Sequence, residues 1–361
     1  MDFSLVSSVF KTLQITPPSK LVLLEAGTLA NAHVPPYPPD MPVLFTNLDA
    51  AEIVSQLKKI LLTAYPKSHE VFFVVGGYTE ITTLDVLNWK ENSADTCLYV
   101  PPLGEGTSFE SFTEIVAHLR APDGCPWDKE QTHESLRKHL LEESYEAITA
   151  IDSGDFTDMQ EEFGDLLLQL VLQSQIANEE NQFNVNQVIQ GIHSKIVRRH
   201  PHVFEDVELE GVKGVLANWE KLKEKERNDK KQEKGLLDGI PAALPALSQA
   251  QEYQDRAARV GFDWPEIEGV LEKVREEIEE IKNAESDFEL ASELGDLFFA
   301  LVNVARWKSV DAESALRGTN LKFKKRFAYV EQTAKRQGKL LSETTLDEMD
   351  ALWNEAKLLG L

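Results

Sequence analysis

Two kinds of apolar patterning divide the chain. Up to about residue 105 the apolar residues fall in short unbroken runs, Val43-Leu44-Phe45-Thr46 and, after Glu70, Val71-Phe72-Phe73-Val74-Val75. Runs of this length, rich in β-branched and aromatic residues, predict buried strands. Between them Ala50–Ala64 repeats its apolar positions at the helical period. Strand, helix, strand predicts a βαβ unit and hence a small α/β domain. Pro35-Pro36-Tyr37-Pro38-Pro39 fits neither a helix nor a central strand, Gly76-Gly77 reads as a turn, and Leu98–Leu103 closes the region. Beyond residue 107 the period changes to that of helices. Phe112, Ile115, Val116 and Leu119 share one face of a helix over Phe109–Leu119, which Ala121-Pro122-Asp123-Gly124 ends.

The helical part carries one compound pattern twice. Glu142-Glu143-x-x-Glu146 is followed by Glu162-x-x-Asp165, and Glu276-Glu277-x-x-Glu280 by Glu293-x-x-Asp296. In each copy Gly-Asp-Leu then leads into an apolar run, 297–302 in the second, that reads as a core helix. The gaps of 16 and 13 positions between the two halves leave room for a helix end, a turn and a helix start. Residues three or four apart share a helix face, so each half-pattern aims its carboxylates one way. Such carboxylates at the edge of an apolar face require neutralisation, and hard divalent cations are the usual partners of an all-oxygen set. The repetition predicts a duplicated unit.

Basic and aromatic residues follow the second copy. Asn320, Lys322 and Arg326 fall near one helical face, with Phe323 and Phe327 packing beside them. Two cations one turn apart suit a polyphosphate, and Asn320 offers bonds to a sugar or base. The first copy aligns as His193, Lys195 and Arg199. No His-x-x-x-His or Glu-x-x-His pair joins the acidic motifs, which argues against zinc and di-iron sites. Trp127 reads as a core aromatic by default, and Cys125, between Gly and Pro with no patterned His base, as a packing residue.

Two ordered copies of EExxE and ExxD, together with Cys125-Pro126-Trp127-Asp128, Arg198-Arg199-His200-Pro201-His202 and Val260-Gly261-Phe262-Asp263-Trp264, resemble the MazG family of nucleoside triphosphate pyrophosphohydrolases. The likeness spans about residues 107 to 361. It implies a mainly α protein with two all-α, four-helix-bundle-like units, 107–235 and 236–361, that pair in a homodimer through their apolar faces. It further implies hydrolysis of a nucleoside triphosphate between the α and β phosphates, with Mg2+ (Mn2+ as the alternative) held by Glu277, Glu280, Glu293 and Asp296, and in the first unit by Glu143, Glu146, Glu162 and Asp165. Substrate contacts fall to the second-unit Asn320, Lys322 and Arg326 and to a tryptophan near the C-terminus, here Trp353; Lys195 and Arg199 are the first-unit counterparts. A carboxylate of the second cluster, with Glu276 among the candidates, takes the water's proton. Residues 1–105 resemble the C-terminal half of a tetrapyrrole methylase domain without its glycine-rich loop. They read as a remnant or docking module that binds no S-adenosylmethionine.

Composition narrows this further. A net charge of -24 argues against general nucleic-acid binding, which needs a basic footprint, yet leaves room for a nucleotide whose charge a metal carries. Ten of the 16 prolines and no arginine fall in residues 1–105, marking that region as separate. Two distant cysteines give no disulfide framework. Met1–Leu13 lacks the features of a signal peptide, and no run of about 18 apolar residues spans a bilayer, so the chain reads as cytoplasmic. Lys221–Gly235 reads as a solvated helix end or linker. The competing readings are a narrower dUTP or phosphoribosyl-ATP pyrophosphohydrolase, a regulatory module that binds nucleotide without turnover, and a methyltransferase-related protein.

Overall fold

The computed structural model describes residues 3–75, 77–88, 96–207, 209–212, 214, 215, 218, 219, 222, 226 and 235–361. Gly76 and nearly all of Lys221–Gly235 lie outside the described residues. The chain forms two compact units, Met1–Ser194 and Lys195–Leu361.

The first unit opens with α1 (Phe3–Leu13) and a five-stranded mixed sheet of β1 (Val22–Glu25), β2 (Val43–Thr46), β3 (Glu70–Val75), β4 (Tyr78–Thr83) and β5 (Cys97–Val100), with α2 at Ala51–Leu61. The strand order is β1-β2-β5-β3-β4, β1 running parallel to β2 and every other pair antiparallel. Val54, Leu57, Ile60 and Leu61 of α2 cover one face, against Val43, Phe45, Val71, Leu98 and Val100. Val9 and Phe10 of α1 cover the other, against Leu44, Val74 and Tyr99. A sheet buried on both faces needs apolar residues at successive positions, which is why these strands read as unbroken runs. The strand-helix-strand order gives β2 and β3 the same direction but not adjacent places, because β5 pairs between them and is antiparallel to both.

Helices α3 (Phe109–Arg120), α4 (Pro126–Glu130), α5 (Arg137–Ser153) and α6 (Phe156–Glu179) follow, and α7 (Val185–Arg199) runs across the division between the two units. Ser108 caps α3, its hydroxyl accepting from the Ser111 N–H at 3.0 Å. A small core of Val116, Leu136, Val171, Leu172 and Ile176 joins α3 to α6. After α8 (Pro201–Phe204), the second unit builds α9 (Ala246–Arg259), α10 (Ile267–Asn283), α11 (Asp287–Trp307), α12 (Ala312–Arg336) and α13 (Leu346–Leu358). Its buried apolar residues include Val270, Ala300, Val302, Val330, Ala334 and Leu352.

The apolar run expected to be core is only partly so. Val302 is buried, whereas Phe298 is 57 % exposed and Phe299 and Leu301 are exposed as well. Phe163, Leu167 and Leu170 on α6 are likewise exposed. A helix packed on one side buries one stripe, and these residues lie off it. No helix among the described residues is long and apolar enough to cross a membrane.

Candidate active site

Each acidic pattern folds into a helical hairpin. Gly154 ends α5 in the left-handed region at φ 71°, a conformation glycine adopts without strain. Asp155 then caps α6, accepting from the N–H groups of Thr157 and Asp158. The short turn lays α6 back along α5 and brings Glu143, Glu146 and Glu162 together, one carboxylate oxygen from each lying within 4.8 Å of the others. Desolvation and the like charges of Asp165, Glu146 and Glu162 raise Glu143 above the usual carboxylate range. Desolvation and the like charges of Glu146, Asp165, Glu161 and Asp158 raise Glu162 as well. Asp165 stands outside the group of three but contributes charge to both.

The second hairpin is α10–α11. Ser286 caps α11, accepting from the Glu289 N–H at 3.2 Å. Glu277, Glu280 and Glu293 again bring one oxygen each within 4.8 Å of one another. Glu277 is 2 % exposed and its Oε2 has no hydrogen-bond partner. Its Oε1 lies 2.6 Å from Lys273 Nζ. Desolvation and the charges of Glu277 and Glu293 raise Glu280, with Lys273 pulling the other way. Asp296 is exposed and lies outside the close group. Glu276 is also exposed and pairs with Lys273 Nζ at 2.9 Å.

Lys273 is the participant that motif reading missed. The signal was there: it stands one turn ahead of Glu277, at i,i+4. The carboxylates of Glu277 and Glu276 hold it well above the usual lysine range. At the matching place the first hairpin has His139, whose Nδ1 lies 3.2 Å from Glu142, on the outer glutamate of that pair.

The donor set fits a hard divalent cation. Three carboxylates converge, and a buried charged oxygen without a partner is too costly to leave unsatisfied. Both groups contain glutamates alone, so among the described residues no histidine joins them. His133 instead lies near Glu180 and Gln173. Cys97 is buried and Cys125 half-buried, and neither forms a disulfide among the described residues.

The basic residues occupy separate environments. Asn320 and Lys322 are exposed on α12. The Nε of Arg326 donates to the Leu361 carbonyl at 2.7 Å, and its guanidinium lies 5.7 Å from the Trp353 ring centre. Phe323 stacks on Phe327 at 5.8 Å and meets Trp353 at 5.1 Å. Phe323, Phe327, Val330, Leu346, Met349 and Trp353 line an apolar cavity of about 320 Å³. On α7, His193 and Lys195 are exposed. Arg198 and Arg199 each lie 2.6 Å from Glu226. The Arg199 hydrogen bond, with that of Arg198, holds Glu226 down to about 2. Lys195 and Arg199 belong to the second compact unit, the Glu143 group to the first. Trp127 is 56 % exposed, edge-on to His139 at 6.4 Å, so the core expectation for it fails. The short α4 seats it on the surface.

Comparison with known proteins adds a family. Residues 131–204 and 266–330 match the family described as MazG nucleotide pyrophosphohydrolase domain, each match containing one hairpin and its carboxylates. The chain is 42% identical over 373 aligned residues to a Bacillus subtilis protein named uncharacterized protein YabN, covering 98% of this chain and 74% of that one. It is 44% identical over 252 residues to the nucleoside triphosphate pyrophosphohydrolase/pyrophosphatase MazG of Thermotoga maritima, covering 70% of this chain and 96% of that one. To the nucleoside triphosphate pyrophosphohydrolase of Escherichia coli K12 it is 45% identical over 249 residues, covering 67% and 94%.

Proposed function

Since the chain belongs to the MazG family of nucleotide pyrophosphohydrolases, we propose that it hydrolyses nucleoside triphosphates between the α and β phosphates, releasing a monophosphate and pyrophosphate. The observation that carries this reading is Glu277: a carboxylate 2 % exposed, with one oxygen unpartnered, beside Glu280 and Glu293. Glu277, Glu280 and Glu293, with Asp296 from the next turn, hold Mg2+, for which Mn2+ can substitute. When bound, the ion supplies positive charge to the phosphoryl oxygens and acidifies a water. The first-unit Glu143, Glu146, Glu162 and Asp165 form the corresponding set.

The chain's own groups do the rest. Lys322 and Arg326 neutralise charge on the departing pyrophosphate, Arg326 exchanging its Leu361 contact for phosphate. Lys273, already at the cluster, is a third cation for the phosphates. Asn320 bonds sugar or base, and Trp353 borders the nucleoside. Glu276 is exposed and lies outside the close group of carboxylates, so we assign the proton acceptor to that group instead. Lys195 and Arg199 are the first copy's counterparts of Lys322 and Arg326, Arg199 being engaged by Glu226. Phe298, Leu301 and Leu294, all exposed in the single chain, are the faces through which two chains pair as a homodimer. We assign residues 1–105, 107–235 and 236–361 as the functional divisions, the first a docking module. The enzyme acts on free nucleotides in the cytoplasm, with neither nucleic acid nor membrane as partner.

The test is pyrophosphate release from a panel of canonical and modified triphosphates with Mg2+. Turnover of several triphosphates supports the reading. Turnover of dUTP or phosphoribosyl-ATP alone would replace it with a narrower enzyme. Binding without release would make the chain a regulatory module.

A further inference from the structure

We propose that Lys273 is an internal counter-ion that makes divalent-metal binding by the second hairpin conditional on the triphosphate. The proposal rests on the reading above that the second hairpin takes a metal and a triphosphate. Three observations lead to it. Lys273 Nζ lies 2.6 Å from Glu277 Oε1 and 2.9 Å from Glu276 Oε1, so it occupies the outer side of a metal-ligand carboxylate. Glu277 Oε2, buried and unpartnered, is the opposite side of the same group. The first hairpin, with the same Glu-Glu-x-x-Glu spacing on its first helix, has no lysine at this place, and its His139 turns to Glu142 rather than to Glu143.

These facts set a competition. A divalent ion entering between Glu277, Glu280 and Glu293 meets a fixed ammonium on one of its ligands. Like charges so close in a partly desolvated site repel strongly, and the ammonium also withdraws carboxylate charge from the ion. Without nucleotide, Lys273 therefore satisfies the site and holds the metal affinity low. A triphosphate offers Lys273 alternative anionic oxygens. Once it leaves Glu277, both oxygens of that carboxylate are free for the ion, and metal and nucleotide bind as one unit. Linkage requires the reverse coupling as well: the metal must tighten the nucleotide by the same factor. The lysine is a positioning residue for the metal, acting through Glu277. The arrangement keeps a buried carboxylate neutralised between turnovers, where an unpaired one would be destabilising.

The experiment measures Mn2+ binding by the electron paramagnetic resonance signal of free Mn2+, on the full chain. Glu146→Gln is present throughout, to silence the first hairpin. Titrations are run with and without a triphosphate whose α–β bridging oxygen is replaced by methylene, and the Mn2+ that the analogue chelates without protein is measured and subtracted. The expected result is weak binding alone and roughly tenfold or greater tightening with the analogue. Lys273→Met should tighten nucleotide-free binding to about the analogue-bound level and remove most of the coupling, whereas Lys273→Arg should keep the coupling. Equal Mn2+ affinity with and without analogue, or unchanged nucleotide-free affinity in Lys273→Met, overturns the proposal. Failure of the underlying reading looks different: no Mn2+ bound to the second hairpin even with analogue, in a chain whose circular dichroism is intact. A converse variant guards against misfolding of Lys273→Met. With Glu146 restored and Glu280→Gln silencing the second hairpin, His139→Lys should weaken nucleotide-free Mn2+ binding at the first, and unchanged binding there counts against the mechanism.

Discussion

Arg306 donates to Asp263 Oδ1 at 2.6 Å, and the indole N–H of Trp307 donates to the same oxygen at 3.2 Å. This ties the Val260–Trp264 segment, which carries the exposed Val260 and Phe262, to the end of α11. Burial pushes the Asp263 carboxyl up, but the hydrogen bonds from Arg306 and Trp307 outweigh it and hold the group below the usual range. Asp263→Asn should lower stability by about 1–2 kcal/mol, the scale of a charge-assisted hydrogen bond in a partly exposed site. A depressed carboxylate contributes stability above its unfolded value and loses it as pH falls through the folded one. The gap between wild type and Asp263→Asn in urea unfolding should therefore be full at pH 6 and shrink below about pH 4. A gap that does not change with pH would mean the tie is steric.

Carboxylates inside and outside the close group should separate in activity. Glu280→Gln removes a member and should cost about two decades in pyrophosphate release or more, with the helical circular-dichroism signal unchanged. Glu276→Gln, outside the group and exposed, should cost less than about tenfold. Equal losses would return Glu276 to the chemistry.

The first cluster should be a source of strain when no metal is bound. Glu143 and Glu162 have raised folded values, so the folded chain binds protons more tightly than the unfolded one. Stability from these groups is then highest in acid and is lost as pH rises through the folded values. Glu162→Gln should raise the metal-free Tm at pH 7 and reduce the rise in Tm that Mg2+ gives. A lower Tm in this variant would show that the glutamate is held by contacts rather than crowded.

The two hairpins should contribute unequally to turnover. The second has Lys273 at its carboxylates and Asn320, Lys322 and Arg326 in its own compact unit. The first has His139 and His193 at the corresponding places. Asp296→Asn should reduce pyrophosphate release far more than Asp165→Asn. Equal losses, or the reverse order, would sink the asymmetry.

Residues 1–105 should be separable from turnover. Their sheet is covered on both faces by its own helices α1 and α2. The joins to the helical part include a hydrogen bond from Ser108 Oγ to Asp40 at 2.6 Å. A chain beginning at Thr107 keeps the Ser108 cap of α3 and should fold and hydrolyse triphosphates. An insoluble product would show that the sheet region covers an apolar surface of the helices.

The sequence by itself determined the helical hairpins and their carboxylates. The i,i+3 spacing of Glu143 with Glu146 and of Glu277 with Glu280 fixes each pair on one helix face, whatever the rest of the chain does. Unbroken runs such as Val71–Val75 likewise reported a doubly covered sheet. Spacing is local, so what depends on separate segments was not legible. The insertion of β5 between β2 and β3 is a matter of pairing over long sequence separations. The burial of Glu277 against the exposure of Asp296 depends on how α11 rolls on α10. Lys273 had the right spacing from the start, but with Glu276 at i,i+3 as much within reach as Glu277 at i,i+4, only the packed hairpin set both carboxylates on one ammonium and left one buried oxygen of Glu277 without a partner.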